Sequence, residues 1–285
     1  MQTINHLNLL REAVAELRKS GRVALVPTMG ALHFGHLTLM REARRHAEHV
    51  VASIFVNPRQ FAPGEDLDAY PRQLAADKAA LESEGVALLW APTVDEMYPA
   101  DFSTNVGVSG VSEGFCGAAR PGHFDGVATV VLKLFNQVAP DVALFGEKDW
   151  QQLAVIRRMA RDLDLTAPHV DAIIGVPTVR EEDGLARSSR NAYLSAQERA
   201  DAVALPRAMQ AAAQAVAGGM AIGDALAQME QAVLAGGFLS VDYAQICDAD
   251  TLAPLTQRGT GPARLLAAAR IGKARLIDNM DVPLG

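Results

Sequence analysis

Stretches of helical periodicity alternate with short apolar runs over residues 1–176, and this alternation restricts the fold more than any other feature. Ile4, Leu7, Leu10, Val14 and Leu17 are spaced as on one helix face, and the apolar run at 23–26 is typical of a buried strand. The same alternation predicts helices at about 35–47, 72–82, 127–138 and 150–163, and strands at 50–56, 86–90, 142–145 and 170–176. Five buried strands joined by helices predict an α/β fold with a doubly wound parallel sheet.

The pattern changes after Pro177, where a polar loop at 180–190 leads into an Ala-rich helical region. Ser195 and Glu198 have the spacing of a capping box, and Pro206 should kink or restart the helix that follows. Residues 238–246 and 263–271 have the pattern of strands. We therefore expect two domains, the parallel-sheet domain at 1–178 and a smaller α+β domain at 179–285.

Charge and cysteine content exclude several functional classes. The net charge of −7 argues against a protein that mainly binds nucleic acid or anionic membranes. Two distant cysteines fit neither a zinc ribbon nor a secreted disulfide framework. No apolar run reaches the roughly 20 residues of a membrane span, and charged residues interrupt the first 20 positions. A cytoplasmic location is expected.

The end of the first predicted strand and the start of the next helix form one candidate site. Small residues at Gly30, Ala31 and Gly35 allow a ligand to approach the backbone, and a helix N-terminus there favours phosphate. His33 and His36 can share one face and donate hydrogen bonds to phosphate oxygens. Two surface histidines that cap a turn, or an incidental metal pair, are the alternatives.

Two further segments have side chains that suit anions. Lys148 follows the predicted strand at 142–145 and could neutralise triphosphate charge, although a solvated charge cluster is the alternative. Ser188, Ser189 and Arg190 could contact phosphate from a loop at the proposed domain boundary, where an ordinary exposed linker is equally consistent.

Two other polar segments could contact a small polar ligand. Asn57 and Gln60 follow the second predicted strand and offer amides, or form a simple Pro-containing turn. The segment at 120–126 precedes a helix and could bind an anion, or cap the helix through Asp125. No GxGxxG, Walker A, GxSxG or HExxH motif occurs, which weakens assignment to the enzyme classes that use them.

Taken together, these segments resemble the pantoate:beta-alanine ligase family of the HxGH nucleotidyltransferase superfamily. The resemblance covers nearly the whole chain, and the set of motifs in this order is far more specific than HxGH alone. The motifs are Pro27-Thr28-Met29-Gly30-Ala31-Leu32-His33-x-Gly35-His36, Phe55-Val56-Asn57-Pro58-x-Gln60-Phe61, Arg120-Pro121-Gly122-His123-Phe124, Gly146-Glu147-Lys148-Asp149-x-Gln151-Gln152 and Asp183-Gly184-Leu185-Ala186-x-Ser188-Ser189-Arg190-Asn191.

The resemblance implies a Rossmann-like N-terminal domain, a C-terminal domain that acts as a lid, and a homodimer. It also implies a ligase that forms a C–N bond. Pantoate would attack ATP, bound with Mg²⁺, to give pantoyl adenylate and pyrophosphate, and beta-alanine would then displace AMP to form pantothenate.

The resemblance also implies the roles of individual residues. His36 would act as a proton donor with His33 as its partner, and Lys148 and Arg190 would complete the catalytic group. Asn57, Gln60 and Gln152 would hold pantoate and beta-alanine, and Asp77 would contact magnesium. The ATP site would comprise Met29, Gly30, Ala31, Leu32, His33, Phe34, Gly35, His36, Gly146, Glu147, Lys148, Asp149, Val179, Arg187, Ser188, Ser189 and Arg190.

Arg187 departs from the family pattern, which usually has Met or Leu at this position. It could add a phosphate contact or point to solvent, so it is not given a catalytic role.

Two rival functions remain: a transferase that adenylylates a phosphate, which would lack the paired glutamines, and an inactive nucleotide-binding module. The intact His33, His36 and Lys148 argue against an inactive module.

Overall fold

The computed structural model describes residues 1–62, 64–65 and 67–283. These residues form two compact units. The first unit comprises residues 1–109, 120–147 and 155–177, and the second comprises 110–119, 148–154 and 178–285. The second unit therefore includes two short segments that precede residue 178 in the chain.

The first unit is built on a six-stranded parallel sheet, in the order β1-β4-β3-β2-β5-β6. Its central strands are apolar and buried on both faces, as the apolar runs predicted. The doubly wound parallel sheet is thus confirmed. The strands are β1 (Gln2–Ile4), β2 (Val23–Thr28), β3 (His49–Ile54), β4 (Leu88–Trp90), β5 (Val142–Gly146) and β6 (Ile173–Val176).

Helices of this unit contribute apolar faces to its core. Leu39, Met40 and Ala43, for example, pack in one cluster with buried residues of β2, β3 and β5. The helices are α1 (Leu7–Leu17), α2 (Phe34–His46), α3 (Leu74–Ser83), α4 (Val94–Met97) and α6 (His123–Val138). A further helix, α7 (Trp150–Asp162), begins in the second unit and continues in the first.

The prediction of a helix that includes Ile4 was wrong. Ile4 ends β1, where it pairs with Trp90 of β4, and its side chain is 3% exposed. An apolar residue at helical spacing from Leu7 can equally fill one position of a short edge strand, because periodicity alone does not separate the two. The sheet consequently has six strands and not the predicted five.

The second unit is an α+β arrangement with a three-stranded antiparallel sheet, in the order β7-β8-β9. Its core packs apolar residues of α9 and α10 with those of β8 and β9. The smaller α+β domain is thereby confirmed as a fold. The elements are α5 (Phe115–Ala119), α8 (Ala196–Asp201), α9 (Ala204–Ala217), α10 (Ile222–Ala235), β7 (Ser240–Asp248), β8 (Ala263–Ile271) and β9 (Ala274–Val282).

The local sequence patterns of this unit predicted its helices and strands after Ser195 correctly, with the exception of β9. Ser195 and Glu198 form the predicted capping box, and a new helix, α9, starts just before Pro206. β9 was not predicted; it follows β8 through the two-residue turn of Gly272 and Lys273. Gly272 has a φ of 52°, and glycine at the first position of a two-residue hairpin turn is a recognised hairpin signal.

Among the residues that the structure describes, no helix is both long and apolar enough to cross a bilayer.

Candidate active site

The carboxyl ends of β2 and β5 mark the centre of the candidate site in the first unit. β3 and β4 lie on one side of β2 in the sheet, and β5 and β6 lie on the other. The winding direction of the sheet therefore changes between β2 and β5. Doubly wound sheets bind ligands at such a switch point. The predicted segment at 29–36 follows directly on β2, and Gly146-Glu147 spans the end of β5.

The loop between β2 and α2 has an unusual backbone. Gly30 and Ala31 have φ angles of 82° and 51°, in the left-handed region that non-glycine residues rarely adopt. The backbone N–H groups of Ala31 and Leu32 donate to the Asp77 carboxylate over 2.9 and 2.8 Å. This loop is therefore held by a side chain from α3, distant in sequence.

His33 and His36 shape the start of α2. His33 is the N-cap, and its Nδ1 accepts from the Gly35 N–H over 3.1 Å. The His36 Nδ1 accepts from the His33 N–H over 3.3 Å, and the ring centroids are 4.1 Å apart. Because each Nδ1 accepts from a backbone N–H, each neutral ring carries its proton on Nε2. Two adjacent Nε2–H groups at a helix N-terminus suit recognition of phosphate.

Asn57 and Gln60 belong to a buried chain of hydrogen bonds in the first unit. The Asn57 Nδ2 donates to the Gln60 Oε1 and to the Gly126 carbonyl, and its Oδ1 accepts from the Tyr98 hydroxyl over 2.9 Å. The Gln60 Nε2 donates to the Met29 sulfur over 2.9 Å. Asn57 thus orients the Gln60 amide, with its NH₂ group on the side of Met29.

The segment at 120–126 fixes the main chain of Gln60. The carbonyl of Gln60 accepts from the His123 Nδ1 over 2.8 Å and from the Arg120 guanidinium over 3.2 Å. Arg120 also pairs with Glu65. Burial raises the pKa of Glu65, but the hydrogen bonds and positive charge of Arg120, together with the Ala62 N–H and His123, hold that pKa below its usual range. Capping through Asp125 is wrong, because the N-cap is Gly122, which has no side chain.

Lys148 lies in the second unit, where its main chain is anchored to the C-terminal sheet. The Lys148 carbonyl accepts from the Asn279 Nδ2 over 2.9 Å, and the Asn279 Oδ1 accepts from the Arg264 Nε over 2.6 Å. The Arg264 guanidinium stacks on the Trp150 ring, 3.5 Å from the ring centroid. A buried polar network therefore restrains residues 148–150.

The segment at 179–191, which contains the polar loop predicted at 180–190, is also in the second unit. Arg180 forms a two-pronged ion pair with Asp278, whose side chain is 2% exposed. Arg187 pairs with Glu181 over 2.7 Å, so the structure places its guanidinium on a neighbouring carboxylate. The Ser188 hydroxyl accepts from the Arg190 N–H. Lys148, Ser188, Asn191 and Asp278 are polar residues that line one small cleft.

Gln151 and Gln152 differ in what surrounds them. Gln151 is buried and binds the Cys116 N–H and two carbonyls of the segment at 110–119. Gln152 is half-buried. The structure therefore gives the first glutamine a structural role within the second unit, while a substrate contact of Gln152 stays a prediction.

Asp77 was predicted to contact magnesium, but its carboxylate oxygens already accept from two backbone N–H groups and its residue is 2% exposed. Within residues 1–62, 64–65 and 67–283, no group of three or more His, Cys, Asp and Glu could hold a metal. This geometry fits a loop contact better than a magnesium ligand, and the metal contact stays a prediction.

Sequence reasoning missed Tyr98, Asn279 and Arg264. Tyr98 lies in a segment without a motif, and burial raises its pKa to about 12. Asn279 and Arg264 lie on strands whose periodicity says nothing about polar partners. A buried polar residue within an apolar strand pattern, as at Asn279, is the one signal that could have attracted attention.

A parallel sheet with this loop and paired imidazoles at its switch point is typical of α/β enzymes that bind phosphate-bearing ligands. A sequence profile of the pantoate-beta-alanine ligase family matches residues 2–281. The chain therefore belongs to the pantoate-beta-alanine ligase family, and it is a ligase.

Individual relatives agree with the profile. A pantothenate synthetase of Novosphingobium aromaticivorans is 69% identical over 283 residues, which cover 99% of each protein. The crystal structure of pantothenate synthetase from Thermus thermophilus matches with a TM-score of 0.92 at 50% identity, over 99% of each chain. A pantoate-beta-alanine ligase from Francisella tularensis, complexed with beta-gamma ATP and beta-alanine, matches at 30% identity with a TM-score of 0.83, over 100% of this chain and 99% of that one.

Proposed function

We propose that this ligase condenses pantoate with beta-alanine in two half-reactions that consume ATP. In the first, a pantoate carboxylate oxygen attacks the α-phosphorus of ATP, and the bond to the bridging oxygen breaks to release pyrophosphate. In the second, the amine of beta-alanine attacks the acyl carbon, loses a proton and displaces AMP. Adenylation is needed because a free carboxylate is a poor acceptor for an amine.

The observation that carries this proposal is the pair of imidazoles of His33 and His36, which follow β2 with their ring centroids 4.1 Å apart. Their Nδ1 atoms accept from backbone N–H groups, so the side chains are oriented before any ligand binds. Donors preorganised where charge develops stabilise the transition state without further reorganisation. His36 would donate to the departing pyrophosphate, and His33 would bind the adjacent phosphate oxygens.

Other predicted residues would neutralise the triphosphate. Lys148 and Arg190 supply positive charge, and the Ser188 and Ser189 hydroxyls supply donors. The backbone of residues 29–35, together with Gly146, Glu147, Asp149, Val179 and Arg187, would complete the ATP site. Arg187 would line the ATP site without contacting phosphate through its guanidinium, because the guanidinium is paired with Glu181.

Pantoate would be held by the amides of Gln60 and Gln152. The Gln60 NH₂ group is turned toward Met29, at the loop that follows β2, and suits a carboxylate or hydroxyl oxygen. Asn57 would act mainly through Gln60, because its amide donates and accepts within the protein. Beta-alanine would bind near this pair.

We further propose that ATP is used as its magnesium complex, with the ion held through phosphate oxygens and water, where it would reduce the charge of the triphosphate. A homodimer in the cytoplasm is also proposed. The functional domains would be 1–178, which binds ATP and pantoate, and 179–285, which would act as a lid. These proposals rest on the resemblance of the sequence to its family.

Exchange of labelled pyrophosphate into ATP tests the first half-reaction directly. We expect exchange that requires pantoate and magnesium and proceeds without beta-alanine. If exchange instead required a phosphate-bearing acceptor, the chain would be a transferase of another specificity. If folded protein bound ATP without any exchange, it would be a non-catalytic nucleotide-binding protein.

His36→Ala and Lys148→Ala are each expected to slow this exchange by about 100-fold or more, since each removes a donor that stabilises developing charge. Glu16→Gln, on the exposed face of α1, is a control that should exchange at the wild-type rate. Exchange at near wild-type rates in both histidine and lysine variants would contradict the proposed roles.

A further inference from the structure

The Asp77 carboxylate reaches the loop between β2 and α2 from a separate element. It lies in the first turn of α3, 46 positions from Ala31 in sequence. One oxygen accepts from the Ala31 N–H over 2.9 Å, and the other accepts from the Leu32 N–H over 2.8 Å. The carboxylate therefore spans two successive peptide groups of the loop.

Burial makes this arrangement costly unless the charge is compensated. Asp77 is 2% exposed, and no cation pairs with it among the residues that the structure describes. The two backbone donors and the positive end of α3 are its main compensation, and the Gln73 Nε2 adds a longer hydrogen bond to Oδ1 over 3.5 Å. Loss of either donor would leave a buried charge partly unsatisfied, so the carboxylate strongly favours the loop conformation that provides both.

That conformation would be unfavourable for an isolated peptide. Ala31 has a φ of 51°, which costs about 1–2 kcal/mol for a residue with a Cβ atom. Gly30 precedes it with a φ of 82°, and a Cβ on Gly30 would lie 3.0 Å from the Asp77 Oδ2. The carboxylate packs directly against the backbone at Gly30 and stabilises the left-handed turn at Ala31.

We infer that Asp77 is a positioning residue, which holds the loop at 30–32 in its ligand-binding shape and thereby sets the entry into α2, rather than a ligand of magnesium. His33 follows the clamped residues directly, and its side chain and that of His36 depend on the same helix start. This inference rests on the proposed ATP site at residues 29–36. Asp77 would then affect nucleotide affinity by holding the loop, and not by binding a metal ion.

Asp77→Asn is the decisive substitution, because it keeps the shape but replaces one acceptor oxygen with an NH₂ group that faces a backbone N–H. We expect kcat/KM for ATP to fall by about 10-fold to 100-fold, as for loss of a charged hydrogen bond. The magnesium concentration for half-maximal activity should change by less than about twofold, and ATP affinity measured in EDTA should fall in parallel. Glu84→Gln is the matched control, since Glu84 ends the same helix and pairs with Arg41 at the surface.

A second substitution tests the coupling to the left-handed turn. Ala31→Gly removes the Cβ penalty, so in the Asp77→Asn background it should restore kcat/KM for ATP by about fivefold or more, with a smaller gain in the wild-type background. A magnesium ligand would not be rescued in this way. Absence of rescue would overturn the inference.

Other outcomes separate this inference from the proposed function. A large shift in the magnesium requirement of Asp77→Asn with normal ATP affinity in EDTA would make Asp77 a metal ligand and overturn the inference. Wild-type kinetics in Asp77→Asn would also overturn it. If the wild-type protein itself lacked pantoate-dependent exchange, the proposed function would fail, whatever Asp77 does.

Hydrogen exchange on the wild-type protein provides a test that needs no variant to fold. The Ala31 and Leu32 amides should be protected in the absence of nucleotide and magnesium, to a degree comparable with amides of β2. Rapid exchange at both amides would mean that Asp77 does not hold the loop.

Discussion

The two loops predicted to bind ATP are held by different interactions. In the first unit, the loop after β2 is held by buried hydrogen bonds from Asp77 and by the two histidines at the start of α2. In the second unit, the loop at 179–191 has its own backbone hydrogen bonds, such as that from the Arg187 N–H to the Val179 carbonyl, and its side chains form ion pairs. In the Arg180–Asp278 pair the carboxylate is buried, at 2% exposure. The Arg187–Glu181 and Arg199–Asp183 pairs are about one-third exposed.

This difference indicates where each loop is preorganised. Buried hydrogen bonds to backbone groups fix a loop along its length, because an unmade bond costs the desolvation of both partners. Exposed ion pairs contribute little and are screened by salt. We therefore expect the loop after β2 to be rigid before ligands bind, and the exposed ion pairs of the loop at 179–191 to add little to its rigidity.

The largest effect is expected when the buried ion pair of the second unit is broken. Asp278→Asn leaves the Arg180 guanidinium without its carboxylate, so the free energy of unfolding should fall by about 3 kcal/mol. Asp183→Asn is the matched control, since this aspartate pairs with Arg199 at a side-chain exposure of 36%, and it should cost less than about 1 kcal/mol. Urea denaturation of both variants measures the difference. Equal losses of unfolding free energy in the two variants would mean that the Arg180–Asp278 pair stabilises the protein no more than the exposed Arg199–Asp183 pair.

A smaller effect is expected from the hydrogen-bond chain of the first unit. Tyr98→Phe removes the hydroxyl that donates to Asn57, so the Asn57 and Gln60 amides lose part of their fixed orientation. We expect the KM for pantoate to rise by about fivefold, as for loss of one neutral hydrogen bond, with little change in the KM for ATP. A selective rise in the KM for ATP would place Tyr98 with the loop after β2 instead.

The smallest effect is a change in alkaline stability. The pKa of Tyr98 is raised from 10.0 to about 12 by burial, so the folded protein retains this proton in a pH range where the unfolded chain loses it. The resulting stabilisation is present below pH 10 and is lost as pH rises toward about 12. Tyr98→Phe lacks this contribution, and its free energy of unfolding should therefore decline less than that of wild type between about pH 9.5 and pH 11.5. An equal decline in both proteins would show that Tyr98 is not protected from solvent.

The parts of the site that were predicted from sequence are those encoded by neighbouring residues. The strand at 23–26, the helix that begins near Gly35 and the capping box of Ser195 and Glu198 all depend on spacings of a few positions. The hairpin at Gly272 was encoded in the same way but was overlooked. Ile4 was misassigned because its partner in the sheet, Trp90, lies far along the chain.

The sequence by itself determined the alternation of buried strands and helices, the family and the segments that carry the site, because apolar periodicity and motif order are properties of consecutive residues. Only the tertiary structure decided what Asp77, Tyr98 and Asn279 do. Each acts on a residue 41 to 131 positions away, through a hydrogen bond that exists only once the chain has folded. A buried polar group is defined by the partners that satisfy it, and those partners are brought together by the packing of whole elements.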